Sequence, residues 1–90
     1  MREIEQTSQF KKDFKKLSKT GKHDLGEFLN VLEFLVNDIA LPEKYHDHPL
    51  SGRWKDHRDC YIRPDWILIY KLEHKKIILV RSGSHSELFG

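Results

Sequence analysis

Ninety residues suffice for one small domain with a modest core, and 38% hydrophobic with 33% charged residues argues against a disordered chain. No apolar run approaches the roughly 18 residues of a membrane span. The start MREIEQTSQF lacks the apolar centre of a signal peptide, so a cytoplasmic protein with no membrane contact is expected.

Residues 2–6 read as a short first strand, and Thr7 or Ser8 offers an oxygen to cap the helix that follows. In QFKKDFKKLSKTG, Phe10, Phe14 and Leu17 fall at i, i+4 and i+7, Lys11, Lys12, Lys15, Lys16 and Lys19 take the remaining surface, and Gly21 is a stop. Leu25, Phe28, Leu29, Leu32, Leu35, Val36 and Ile39 predict a second helix, with Glu27, Glu33 and Asp38 facing away. The short break between the helices predicts an antiparallel pair. Pro42 ends helical structure, and residues 42–52 read as a long connection containing Pro49 and Gly52.

From Arg53 onward the period changes. Strands are predicted at residues 58–63, at the nearly continuous apolar run Trp66–Leu72 and at residues 77–81. Turns at Arg63-Pro64-Asp65 and at residues 73–76 join them. The order β-α-α-β-β-β predicts an α+β fold over residues 1–90, one domain with two helices packed on a largely antiparallel sheet. Alternation sends Cys60 and Ile62 to the core face and Asp59, Tyr61 and Arg63 to the other. In the last strand Ile78 and Val80 form the simpler core set, leaving Arg81 opposite with Ile77 and Leu79. The second face is then polar and partly aromatic, and there the loop HDHPLSG and the tail SHSELFG could meet.

The net charge of +2 is unevenly spread. Residues 1–22 carry seven Lys/Arg against three acids, residues 23–44 one against five, and residues 45–90 eight against six. That polarity suits a polyanionic partner such as nucleic acid. The lysines of the first helix could track phosphates, or serve only as the water side of an amphipathic helix.

His46-x-His48 with His57, Asp59 or His85 could in principle hold zinc. Nothing has the spacing of a CxxC pair or an HExxH helix, so no metal and no cofactor is expected. The single Cys60 cannot form an internal disulfide and alternates with core residues, with no obvious base beside it, so it is not a nucleophile. Acid–base chemistry fits better, because histidine titrates at about pH 6.5. RNA cleavage needs a base for the 2′-hydroxyl proton, cations for the phosphate and an acid for the leaving 5′-oxygen. His48, His85 and Asp65, with Arg81 and Lys55 as cations, supply each role. Trp54, Tyr61 and Phe89 could stack on bases, whereas Trp66 and Tyr70 belong to an apolar strand.

The segments DHPLSG, W-K, RD, PDWILIY and G-S-H-S-E-L-F, in that order and spacing, resemble the YafQ-like branch of the RelE superfamily, toxins of type II toxin–antitoxin modules. The resemblance is strong over residues 44–90, and the helical half matches mainly in pattern. It implies a RelE-like α+β domain acting as a ribosome-dependent mRNA endonuclease in the ribosomal A site, without metal, and held inactive by a cognate antitoxin. Operator DNA would be bound only through the antitoxin complex, and the free toxin would be a monomer. By motif, His48, Asp65 and His85 are implied as catalytic, Arg81 and Phe89 match the family's basic and near-terminal aromatic residues, and Asp59 matches a supporting position. The implied roles are His85 as acid and Asp65 or His48 as base, with Arg81 and Lys55 on the phosphate. His46 and His57 match no catalytic position. One departure is Tyr61, where close relatives carry an active-site histidine. It keeps a second reading open, a weak or inactive toxin-like module acting with its antitoxin in transcriptional autoregulation. A free-standing basic RNase is disfavoured.

Overall fold

The apolar run Trp66–Leu72 is the middle strand of a five-stranded sheet, buried on both faces along most of its length. The structure is a computed structural model that describes residues 1–21 and 23–90. Its elements are β1 (Glu3–Gln6), α1 (Ser8–Lys19), α2 (Leu25–Val36), β2 (His48–Pro49), β3 (Arg58–Arg63), β4 (Trp66–Leu72), β5 (Lys76–Gly83) and α3 (His85–Phe89). The sheet order is β1-β5-β4-β3-β2, with β1 parallel to β5 and every other pair antiparallel. No helix among the described residues is long and apolar enough to cross a membrane.

Thr7 caps α1, its side chain accepting the Phe10 N–H at 3.0 Å, and Phe10 and Leu17 bury the predicted stripe. In α2 the buried stripe is Phe28, Val31, Leu32 and Leu35. Leu25, Leu29 and Ile39, expected in the core from the sequence, are exposed. The helix stops at Val36, before Ile39, and Leu25 and Leu29 fall on the flank of the stripe of Phe28, Val31, Leu32 and Leu35. The main core lies between the helices and one sheet face, with Cys60, Ile62, Trp66, Leu68, Tyr70, Ile77 and Leu79 contributing from the strands.

The phase of β5 is opposite to the expectation. Ile77 and Leu79 are fully buried in the helix-side core, while Ile78 and Val80 are only partly buried. A bulge explains it: Tyr70 faces Leu79 but Ile69 faces Arg81, so Val80 is an extra residue and the alternation shifts. Arg81 therefore leaves the face of Ile77 and Leu79 and shares that of Ile69. The second face is also less polar than expected, because Leu50, Trp54, Leu88 and Phe89 cover Ile67 and Ile69 to form a smaller apolar cluster.

One polar contact ties the helical layer to this end of the sheet. β1 pairs with β5 only as far as Leu79, so the later part of that edge has no strand partner. The Asp13 carboxylate of α1 accepts there from the Ser82 N–H at 3.1 Å, from Arg81 Nε at 3.0 Å and terminal nitrogen at 2.9 Å, and from Gln9 Nε2 at 3.0 Å. Burial opposes ionisation, but these donors outweigh it and hold the Asp13 carboxyl below its ordinary 3.8. Asp13→Ala is expected to destabilise the fold at neutral pH by about 1.5–3 kcal/mol, the scale of a hydrogen bond to a charged group. A depressed carboxyl stabilises above the unfolded value of 3.8 and loses that contribution as pH falls below it. Denaturant unfolding of both proteins should therefore show the gap closing in acid.

Candidate active site

The connection at residues 42–52 has more structure than its composition suggested. A single helical turn at Glu43–Tyr45 ends at His46, whose φ of 49° is left-handed, and the chain then pairs as β2 against β3. Asp47 anchors this bend: its carboxylate accepts from Arg58 at 2.9 Å and from the buried Tyr70 hydroxyl. The next residue, His48, is thereby set directly opposite Asp59 in the β2–β3 ladder.

Asp59 is the unusual group of this face. It is 2% exposed, and its Oδ1 lies 3.2 Å from His48 Nδ1. That approach is not an aligned hydrogen bond, because Nδ1 donates to the His46 carbonyl at 2.8 Å, and Oδ1 has no hydrogen-bond partner among the described residues. The donation assigns the Nδ1–H tautomer and leaves the Nε2 lone pair of the exposed imidazole free. Burial raises the Asp59 carboxyl above its ordinary value, while the charges of His48 and His85 both act to lower it. Asp59 thus lies within electrostatic reach of both histidines.

His85 begins α3, a helix absent from the predicted elements. Ser84 and Glu87 form a capping box, with Glu87 N–H donating to Ser84 Oγ at 3.2 Å and Ser84 N–H to the Glu87 carboxylate at 2.8 Å. The Ser-x-x-Glu spacing in GSHSELF is the sequence signal for it. Lys16 of α1 binds the same carboxylate at 3.0 Å, and the Ser84 amide and Lys16 together pull the Glu87 pKa down to about 2. Asp65, in the turn after β3, accepts the His85 backbone N–H at 3.1 Å and so fixes the start of α3. The His85 ring faces Phe89 one turn on, with centroids 5.1 Å apart.

Of the residues singled out from the sequence, His48 and Asp59 meet at 3.2 Å, the charge of His85 acts on the same Asp59 carboxyl, and Asp65 and Phe89 hold or flank His85. Tyr61 shares the Asp59 face of β3 and meets His46 edge-on at 6.1 Å. Arg81 is clamped by Asp13. Lys55 is exposed, and its ammonium makes no ion pair among the described residues. His57 turns away, its Nδ1 on the Lys55 carbonyl and its ring against Trp54. Cys60 is fully buried and its thiol pushed strongly up by burial, which removes it from nucleophilic chemistry. Sequence reasoning alone does not single out Asp13, Asp47 or Glu87; of these only Glu87 carries a local signal.

Residues 2–90 match the model of a family described as bacterial toxin of type II toxin–antitoxin system, YafQ. The chain is 44% identical over 90 residues to the mRNA interferase toxin YafQ of Escherichia coli K12, covering 99% of this chain and 97% of that protein. It aligns with a chain of the E. coli DinJ–YafQ complex at a TM-score of 0.87 and 43% identity over 100% of both chains. A metal-bound toxin from Helicobacter pylori aligns at a TM-score of 0.90 and 43% identity, over 99% of this chain and 100% of that one. Sequence motifs, fold and these relatives agree: the chain belongs to the YafQ family of toxins of bacterial type II toxin–antitoxin systems.

Proposed function

We propose that this chain is an mRNA endoribonuclease that cuts ribosome-bound mRNA in the A site by acid–base attack of the 2′-hydroxyl, and that a cognate antitoxin holds it inactive. The observation that carries this reading is the buried Asp59 carboxylate, whose Oδ1 lies 3.2 Å from His48 Nδ1 without a hydrogen-bond partner among the described residues and which also feels the charge of His85. His48 Nε2 takes the 2′-hydroxyl proton, and Asp59 beneath it stabilises the imidazolium that forms. The 2′-oxygen attacks phosphorus, the 5′-oxygen leaves with a proton from His85, and a 2′,3′-cyclic phosphate results. Asp65 already accepts the His85 N–H, which favours His48 as base and Asp65 as the anchor of α3. Arg81 keeps one terminal nitrogen outside its Asp13 clamp for a phosphate oxygen, and Lys55 adds an unpaired charge. These groups suffice for the proton transfers without a metal ion. So sparse a set depends on the ribosome to place the 2′-hydroxyl in line, a proximity effect.

The antitoxin reading is supported by the relatives solved as a DinJ–YafQ complex. Tyr61 favours a second reading, a toxin-like module that acts only in repression with its antitoxin, since a phenol is a far weaker proton acceptor than an imidazole. In the first reading Tyr61, whose ring meets His46 edge-on, takes no part in proton transfer.

Cleavage of a defined mRNA, with and without 70S ribosomes programmed with it, separates the readings. Cuts are expected only with ribosomes, and His85→Ala should lower their rate by about 10²–10⁴-fold, the usual worth of a general acid. Tyr61→His is expected to leave the rate within a few fold; a large gain would show that the substitution had cost activity. Asp59→Asn should split stability from activity. A carboxyl raised by burial costs stability as pH rises through its folded pKa. The variant should therefore melt higher than wild type at pH 7, lose that advantage in acid, and cleave at least about tenfold more slowly.

A further inference from the structure

The short helical turn Gly52–Trp54 and α3 enclose a cleft of about 430 Å³ beside His85, within the range of about 300–1,000 Å³ of small-ligand sites. Arg53, Trp54, Arg81, Glu87, Leu88 and Phe89 are among the residues that line it. We propose that this cleft is a subsite for one nucleotide of the RNA strand next to the scissile bond, with Trp54 and Phe89 as stacking walls and Arg53 as a phosphate contact. The proposal rests on the RNA-cleaving reading above.

The chemistry of the walls points to single-stranded RNA. Trp54 is half-buried against the small cluster of Ile67, Ile69 and Leu88, which fixes its plane. Phe89 lines the same cleft and its ring packs on that of His85, so a base held here lies near the proposed acid. Arg53 is exposed, its guanidinium is 5.4 Å from the Trp54 ring centroid, and it makes no hydrogen bond or ion pair among the described residues. A base that stacks on Trp54 displaces this guanidinium from the ring and leaves it to pair with the adjoining phosphate. The acids nearby are already spent: Glu87 on Lys16 and the Ser84 amide, Asp13 on Arg81 and Ser82. The cleft therefore presents aromatic surface with surplus positive charge, the combination that binds unpaired nucleotides. An acidic peptide would find the charge but gain less from the aromatic surface of Trp54 and Phe89.

The test measures kcat/KM on programmed ribosomes across a set of A-site codons for wild type, Arg53→Ala, Trp54→Ala and Trp54→Phe. Trp54→Ala should lose about 5- to 150-fold, the worth of one stacked base, chiefly in KM and with a changed codon ranking, and Trp54→Phe should recover most of it. Arg53→Ala, on the surface, should weaken RNA binding without altering the melting temperature. Binding is read separately on non-cleaving His85→Ala with a trinucleotide RNA. Trp66 is 2% exposed, so fluorescence quenching reports Trp54 and should vanish in Trp54→Phe. Unchanged kcat/KM and codon ranking in Arg53→Ala and both Trp54 variants would overturn the subsite while leaving the nuclease intact. Weakened antitoxin binding in these variants, with RNA binding and cleavage untouched, would overturn it equally. Quenching by RNA with no cleavage by wild type would instead uphold the subsite and overturn the nuclease reading.

Discussion

The Asp13 carboxylate is the contact on which the α3 end of the sheet depends. A buried charge is tolerated only when its oxygens are well supplied with donors, and Asp13 has four from three residues: Gln9, Arg81 and Ser82. It takes over the edge of β5 where β1 stops pairing, substituting a side chain for a missing strand. The bulge at Val80, the direction of Arg81 and the start of α3 all follow within a few residues. Lys16, one turn further along α1, adds a second tie through Glu87. That pair is largely exposed and contributes mainly orientation.

The other buried aspartate is treated in the opposite way. Asp59 is more deeply placed than Asp13, yet its Oδ1 is left without an aligned donor among the described residues and its carboxyl is pushed up rather than down. Two carboxylates in one small fold are thus driven apart by environment, one to hold structure and one left with unused capacity. Unused polar capacity in a core costs stability, and it is found where a protein keeps a group for chemistry. The neighbours of Asp59 carry the same logic: Asp47 is satisfied by Arg58 and Tyr70 so that His48, beside it in sequence, can stay open to solvent.

A face that needed only to be solvated would not be built like the outer side of this sheet. α3 and the Gly52–Trp54 turn fold back over Ile67 and Ile69 and leave a cleft between themselves. The apolar contacts hold these two short segments, neither of which could be stable alone. Their rigidity carries His85 and Phe89 on one side and Arg53 and Trp54 on the other. In the proposed activity the ribosome supplies the strand and the toxin supplies a shaped, charged surface with a few proton-transferring groups.

Much of this is legible in the chain. The stripe of Phe10, Phe14 and Leu17, the central run Trp66–Leu72 and the turn at Arg63-Pro64-Asp65 are local patterns whose spacing decides helix, strand and reversal. The motifs around His48, Asp65 and His85 likewise point to one family before any fold is drawn, and the family and fold agree with that reading. The capping box that starts α3 is equally local, although five residues are too few for a helical period to announce the helix behind it. What only the tertiary structure decided were the non-local choices. One extra residue opposite Ile69 and Tyr70 reverses the faces of β5, and a register is a property of two strands together. Asp13 looks like one acid in a lysine-rich helix until β5 offers it an unpaired N–H and a guanidinium, 68 and 69 residues away. Asp59 looks like one more acid of a strand until the fold buries it and sets His48 opposite it across the β2–β3 ladder. Short-range sterics and spacing are written in sequence; burial and partner choice arise only when distant segments exclude water from each other.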